Sequence, residues 1–404
     1  MSLTRTTSDT NRQRWSGEPE TRWVVRATQP VSYEIRLCED VLDPANPALL
    51  EAVPAAAAPT SRRFVVVDSV VDRLYGERIR GYFDQHGVEY QICVLKCGEP
   101  AKNWKHVLTV VEALDRFRID RRREPIVAIG GGVLLDLVGF ASSLYRRGTP
   151  LVRVPTTLIG LVDAGIGVKT GVNFHEHKNR LGTYSPADRV LADRLFLRTI
   201  GRRHISNGLA EILKMALIKD SRLFELLERY GPSLLENGFQ TTGSSVPGPS
   251  FHDAANEILK RSIHGMLEEL QPNLWEKSLE RVVDYGHSFS PVLEMRALPE
   301  LLHGEAVSID MALSTVVAER RGLVTPAERQ RIFQVMRDLD LPQWHPLCED
   351  DLLISALHDV TRHRSGRQRL PLPISIGSAL FVNDLTEQEL GVASRKLAEL
   401  AKNP

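Results

Sequence analysis

The segment IVAIGGGVLLDLVGF, residues 126–140, decides the fold. Four apolar residues, three of them β-branched, run into Gly130-Gly131-Gly132, and an apolar helical pattern carrying Asp136 follows. A buried strand feeding a glycine turn and a helix gathers bare backbone N–H groups and the positive end of a helix dipole at one point. That point suits an anion such as a pyrophosphate. A tight strand-to-helix turn alone also calls for glycine, so the flanking sequence has to decide. The turn is not the GxGxxG of a first strand; it stands on a later one.

Working outward, residues 63–67 form a β-branched run ending in Asp68, and 72–86 have helical spacing up to Gly87. Residues 90–95 read as a second strand, continued through Cys97 and followed by Gly98-Glu99-Pro100; 104–117 and 134–147 read as helices, and 151–154 as a further apolar strand before Thr156-Thr157. Alternation of helices with apolar strands predicts a parallel sheet covered on both faces. Ligands of such sheets gather at the carboxyl edge. Asp68 is placed there to bond ribose hydroxyls or adenine, Glu99 and Lys102 suit a ribose, and Thr156 and Thr157 share the edge. Residues 23–41 suggest one or two strands, and 52–61 a small-residue loop.

Beyond Asp193 the β pattern fades. Helical spacing covers 207–230, 253–270, 279–295, 305–321 and 326–339. Residues 238–250, GFQTTGSSVPGPS, read as a mobile inserted loop. LPLPISIGSALFVND suggests a short extended pair, and Asp384 to Glu387 has capping-box spacing before a last helix. The expected architecture is α/β: a Rossmann-like parallel-sheet nucleotide domain over 21–193 and a mainly helical metal and substrate domain over 194–404, after a polar tail of 1–20 expected to be disordered.

Of the 404 residues, 42% are hydrophobic and 25% charged, with a formal net charge of zero. No global field draws such a chain to nucleic acid or to a membrane surface, and no apolar run is long enough to span a bilayer. The tail lacks the apolar centre of a signal peptide, and the expected location is cytoplasmic. Cys93 and Cys97, read on one strand, stand too far apart for a disulfide. Four buried thiols in a reducing compartment are expected from these two with Cys38 and Cys348.

Three further stretches carry chemistry. PTTLIGLVDAGIGVKTGVNFHEHKNRLG reads as a long polar glycine loop holding Asp163, Lys169, Lys178 and Asn179; its lysines suit a phosphate, and Arg147 upstream adds a guanidinium. His175 and His177 within it read as loop or substrate residues. Glu211 and Lys214 lie one helical turn apart, on either an exposed ion-paired face or a metal site. ERVVDYGHSFSPVLEMRALPELLHGE, residues 280–305, supplies His287 and His303 beside glycines. Together with Glu211 they read as ligands of one divalent metal, zinc or a similar ion, with open positions for substrate oxygens.

Taken together, these pieces resemble the dehydroquinate synthase-like sugar phosphate cyclases over residues 64–377. The matching motifs are Gly98-Glu99 with Lys102, GGGVLLDLVGF, VPTTLIGLVDAGIGVKTGVN, HKNRLG, GLAEILK, DYGHSF and LLHGEAV. The resemblance implies NAD bound by Asp68, Glu99, Lys102, Gly131, Gly132, Asp136, Thr156, Thr157, Lys169, Lys178, Phe196 and Thr199. It implies zinc, with cobalt as the alternative, on Glu211, His287 and His303. Substrate and phosphate contacts fall to Arg147, Asp163, Lys169, Asn179 and Lys214. It implies a homodimer, with Arg147 serving the neighbouring subunit's site, and catalytic work at Lys169, Lys214, Asp284 and His287.

The chain departs from dehydroquinate synthases at Glu280, Asp284 and Pro291, where that group has arginine, asparagine and histidine. A substrate carboxylate facing Glu280 loses a charge-assisted pair, so an uncharged polyol end, bonded by Glu280 and Asp284, is expected. With ELQPNLWE and RHRSGRQRLPLP, the pattern looks like the 2-epi-5-epi-valiolone synthase branch, which implies cyclisation of sedoheptulose 7-phosphate. The alternatives are a gadusol-precursor or 2-deoxy-scyllo-inosose cyclase and, of another type, a metal-dependent polyol dehydrogenase. The small-molecule partner expected is a sugar phosphate.

Overall fold

The computed structural model describes residues 22–54, 58, 62–175, 177–240 and 251–402. The expected tail and most of the expected 238–250 loop lie outside them. Residues 1–32 and 33–404 form separate units; the described residues of the first, 22–32, contain no helix or strand.

In the second unit six strands form one parallel sheet: β1 (Glu34–Cys38), β2 (Arg63–Asp68), β3 (Tyr90–Leu95), β4 (Ile126–Gly130), β5 (Leu151–Pro155) and, after a hairpin, β8 (Arg189–Asp193). Their order is β1-β8-β5-β4-β2-β3. Helices α1 (Ala48–Glu51), α2 (Ser69–Gln85), α3 (Trp104–Phe117) and α4 (Gly132–Leu144) belong to this half. Alternation along the strands explains the two-sided burial. Val65, Val67, Val127 and Ile129 pack with Ile79, Tyr82 and Phe83 of α2, while Phe64, Val66, Ile126 and Ala128 pack with α3 and α4 in a core that continues into the helical half. Strand order reverses between β2 and β4, which places a crevice at the carboxyl ends of those strands.

The polar glycine loop is in fact a turn of π-helix, Gly160–Ala164, followed by the antiparallel hairpin β6 (Lys169–Phe174) and β7 (His177–Tyr184). Gly171 and Gly182 are needed there because a Cβ on either would lie 2.6 or 2.3 Å from a carbonyl of the facing strand.

The helical half contains α5 (Arg202–Ile218), α6 (Ser221–Glu236), α7 (Phe251–Leu270), α8 (Ser290–Arg296), α9 (His303–Arg320), α10 (Pro326–Asp338), α11 (Asp350–His363) and α12 (Glu387–Lys402). The hairpin β9 (Leu370–Ser375) and β10 (Ser378–Val382) is the expected extended pair. Several expectations change. The helix expected over 207–230 breaks at Lys219-Asp220, where Asp220 caps α6 through the Leu223 N–H. Of the helix expected over 279–295, the structure has only a 3-10 turn at Val282–Asp284 and α8. The last helix is capped by Thr386, whose hydroxyl accepts from the Glu389 N–H; Asp384 instead pairs with Arg321. Strand β3 ends before Cys97, and of the four free thiols only Cys348 is buried. No described helix is long and apolar enough to cross a membrane.

Candidate active site

Helix α5 is buried almost all round, and so is α9. Such helices carry charge only where it is paired or binds something. Glu211 is 1% exposed and Lys214 2%, which rules out the solvated-face reading of this pair. Lys214 Nζ lies 2.6 Å from Glu211 Oε2. Glu211 Oε1 points the other way, 3.2 Å from His303 Nε2 and 3.7 Å from His287 Nε2.

Local backbone brings the two histidines there. Gly286, at φ +73°, lets the chain before His287 press on α9, where a Cβ would meet Val307 and Met311 at 2.9 Å. Asp310 of α9 accepts the N–H groups of Ser288, Phe289 and Ser290 at 2.6–2.9 Å and so fixes the turn behind His287. His303 opens α9. A Cβ on Gly304 would stand 2.0 Å from the Asn207 carbonyl, so α9 begins against α5 only because that residue is glycine. Asn207 Oδ1 accepts the Gly304 N–H at 2.6 Å.

Both rings are oriented by their outer nitrogens. His287 Nδ1 lies 3.1 Å from the Tyr285 carbonyl, so Nδ1 donates and Nε2 keeps a lone pair. His303 Nδ1 lies 2.9 Å from Glu294 Oε2, which Lys178 Nζ also contacts at 2.6 Å. This carboxylate–histidine arrangement is the one that orients metal ligands. Burial and Lys214 push His287 down to about 3, keeping it neutral. His303 is pulled up to about 9: burial and Lys178 oppose the shift, and Glu294 and Glu211 outweigh them. The space between Nε2 of His303 and Glu211 therefore calls for positive charge. Glu211, His287 and His303 offer ligand atoms within 4.8 Å of one another, a donor set that fits zinc. Among the described residues no other such group occurs.

Glu294 was not legible as a site residue, because its approach to His303 exists only in the fold. Replacing it with glutamine exchanges the charged acceptor that orients His303 for a weaker neutral one and leaves Lys178 without its carboxylate partner. Metal affinity should then fall by roughly 10- to 100-fold in a chelator-competition titration.

His287 and His303 of this cluster line a cleft of about 980 Å³. Every cofactor candidate named from the sequence lines that cleft, as do Asp163, Asn179, Lys214, Asp284 and Pro291. Helix α4 is preceded by Gly131, which offers no side-chain cap, so its first N–H groups face the crevice. A Cβ on Gly131 would meet Thr157 at 3.0 Å, and one on Gly132 would meet Ala164 at 3.1 Å. The turn is thus a close-fitting cradle that suits a pyrophosphate. Asp68 caps α2 through the Val70 N–H at 2.7 Å. Lys102, 3% exposed, donates to Asp136 Oδ2 and Asn179 Oδ1, both at 2.6 Å. Its ammonium holds these two groups in place. Lys178 reaches Glu294 and His303, at the metal end of the cleft.

Two expected substrate residues do not reach the cleft of their own chain. Arg147 lines a separate surface pocket with Arg118, Arg121, Arg122 and Arg146, where Arg146 and Arg147 both hold positive φ. Glu280 is exposed, and the cleft is lined instead by its neighbour Arg281. The segment before the Val282–Asp284 turn is extended, so successive side chains alternate, and the phase puts 281 inward. His175 and His177 are exposed at the β6–β7 turn, away from the metal group.

Residues 92–207 match the 3-dehydroquinate synthase N-terminal family and residues 208–362 the 3-dehydroquinate synthase C-terminal family. The chain is 60% identical over 378 residues to a 2-epi-5-epi-valiolone synthase of Streptomyces albus, covering 94% of this chain and 91% of that protein. The chain belongs to the 3-dehydroquinate synthase family. Within this family it is 38% identical to a demethyl-4-deoxygadusol synthase of Trichormus variabilis, over 94% of this chain and 91% of that one. Its structure superposes on that of ValA, a 2-epi-5-epi-valiolone synthase from Streptomyces hygroscopicus subsp. jinggangensis 5008 with NAD+ and Zn2+ bound. The TM-score is 0.88 at 54% identity, covering 94% of this chain and all of that one.

Proposed function

We propose that the chain cyclises sedoheptulose 7-phosphate to 2-epi-5-epi-valiolone with release of inorganic phosphate. It would be a carbon–oxygen lyase acting as a cytoplasmic homodimer in aminocyclitol natural-product biosynthesis. The observation that carries the proposal is one cleft that joins a Glu–His–His cluster to a glycine-turn anion cradle, in a chain 60% identical to an enzyme of that name. The 54% identical ValA, with NAD+ and Zn2+ bound, supports the same cofactors here.

When bound, NAD+ supplies a hydride acceptor that returns its hydride within the cycle, and zinc, or cobalt in its place, supplies a Lewis acid. Glu211, His287 and His303 would hold the metal. The Gly131-Gly132 turn would take the pyrophosphate, and Asp68, Glu99, Asp136, Thr156, Thr157, Phe196 and Thr199 would line the rest of the dinucleotide. Lys102 and Lys178 act on that wall through their acidic partners. Lys214, held charged by Glu211 although burial opposes it, lies where it can polarise a substrate oxygen beside the metal. Asp163 faces the same point, and burial and Glu211 raise its pKa. Asp284, which lines the cleft, would accept a substrate hydroxyl. Lys169 and Asn179 would hold the phosphate, joined by the partner subunit's Arg147. The division into nucleotide and metal domains would fall at residues 193/194, the end of β8.

The test is direct. Purified enzyme loaded with NAD+ and zinc is given sedoheptulose 7-phosphate, and phosphate is followed together with absorbance at the NADH band. Phosphate should appear with no net NADH. Steady NADH accumulation would identify a polyol dehydrogenase instead. Product analysis separates the valiolone from the products of related cyclases.

A further inference from the structure

One wall of the cleft is a chain of alternating charges that the sequence did not reveal. Glu276 Oε1 is contacted by both Lys169 Nζ and Arg281 Nη1, and Tyr184 donates to Glu276 Oε2 at 3.1 Å. Arg281 Nη2 continues to Asp284 at 3.4 Å, and Arg364 reaches the other Asp284 oxygen at 3.5 Å. Glu276 holds φ +50°, outside the usual range for a residue with a side chain. Side-chain exposure is 14% for Glu276, 14% for Arg281 and 57% for Lys169.

We propose that Glu276 is a specificity residue of the substrate cleft: it neutralises Arg281 and leaves Lys169, the most exposed cation of this network among the described residues, to receive a ligand's anionic group. This deepens the sugar phosphate reading above and rests on it. The network has three cations and two acids, of which Lys169, Glu276, Arg281 and Asp284 line the cleft and Arg364 joins through Asp284. Asp284 lies between the two guanidiniums, and Glu276 between Arg281 and Lys169. When a phosphate draws Lys169 away, Glu276 and Asp284 still match Arg281 and Arg364 one to one. Lys169 is the most exposed of the three cations, so it gives up its partner at least cost. Among the described residues of this network, a ligand with a second anion then meets no uncommitted cation and has to displace a carboxylate already in place. An uncharged polyol meets neither obstacle. Arg281 would otherwise be a ready carboxylate receptor, because a guanidinium in a desolvated cleft binds carboxylates strongly. Selectivity here comes from the acid that occupies the arginine, which penalises the wrong ligand.

The test compares two ligands with the same phosphate. 6-Phosphogluconate carries a carboxylate at its far end where glucitol 6-phosphate carries a hydroxymethyl group. Both are titrated calorimetrically into the NAD+- and zinc-loaded enzyme. In Glu276→Gln the affinity for 6-phosphogluconate should rise about ten-fold relative to that for glucitol 6-phosphate. Adding Arg281→Gln should return the ratio to the wild-type value. Glu276→Asp, which keeps the charge but shortens its reach, should move the ratio the same way by about two- to three-fold, and it serves if the glutamine variant does not fold. Equal tightening of both ligands would mean that Glu276 merely restrains Lys169, and it would overturn the proposal. An unchanged ratio would do the same. The measurement needs no turnover, so failure to cyclise sedoheptulose 7-phosphate and failure of the ratio to shift are separate results.

Discussion

Glu211→Gln is expected to abolish metal retention and turnover together, and to weaken the fold as well. The substitution keeps size and shape but removes the negative charge that lies between Lys214, His287 and His303. Lys214 Nζ is 2.6 Å from that carboxylate and 2% exposed, so it cannot turn to water. Leaving one partner of a buried pair uncompensated costs about 3–5 kcal/mol. Both ionic partners depend on the contact. Glu211 is held well below the usual carboxylate range, against burial, by Lys214 and the histidines, and Lys214 is raised, also against burial, chiefly by Glu211. The expected outcome is loss of bound zinc by elemental analysis, with turnover falling on the order of 10³-fold or more. Thermal unfolding of the metal-free variant should shift down relative to metal-free wild type. A glutamine variant that retained stoichiometric zinc would remove Glu211 from the ligand set.

How much of this was legible in the sequence depended on whether the determining contact was local. The glycine turn after β4 was legible because strand, turn and helix start are consecutive, and local periodicity reports them. Glu211, His287 and His303 were legible because glycines stand beside both histidines and a helical spacing links Glu211 to Lys214. The segment before α8 was misread as helix because its apolar spacing resembles one. Its N–H groups at Ser288 and Phe289, with that of Ser290 at the start of α8, bond the carboxylate of Asp310, about twenty residues away on α9. No local pattern shows that bond. The same cause hid Glu294, which orients His303, and the Glu276–Arg281 pair, whose partners Lys169 and Tyr184 lie on a different hairpin. The misplacement of Glu280 is a phase error. In an extended segment a shift of one residue exchanges inward for outward side chains, and only packing sets the phase. Arg281 in the cleft reverses the sign of the group expected there, and the charge argument for a polyol end survives because Glu276 offsets it.

Gly131→Asp should separate the two halves of the site. Gly131 precedes the first residue of α4 with φ −79° and ψ 177°, the extended geometry typical of a helix cap, yet supplies no side chain. An aspartate in that geometry can accept from the free N–H groups of the first turn and favourably face the helix dipole. Caps of this kind stabilise by about 0.5–2 kcal/mol. The new Cβ would approach Thr157 at 3.0 Å, a contact that requires Thr157 to shift by a few tenths of an ångström and offsets part of that gain. The folded protein is therefore expected to keep or slightly exceed its melting temperature. For a dinucleotide the change is adverse on every count. The carboxylate takes the N–H groups a pyrophosphate would use, fills the space of its approach and adds like-charge repulsion. NAD+ affinity by calorimetry should fall by at least about 100-fold, roughly 3 kcal/mol. Zinc uptake should be unchanged, since Glu211, His287 and His303 stand on other elements. Gly131→Asn, a neutral cap of the same shape, isolates the charge, and its NAD+ affinity should lie between those of the glycine and aspartate forms. If the aspartate variant bound NAD+ like the wild type, the phosphate cradle would have to lie elsewhere on the sheet edge. If zinc were lost as well, the two ends of the cleft would be coupled through Asp163 and the π-helical turn that packs against Gly132.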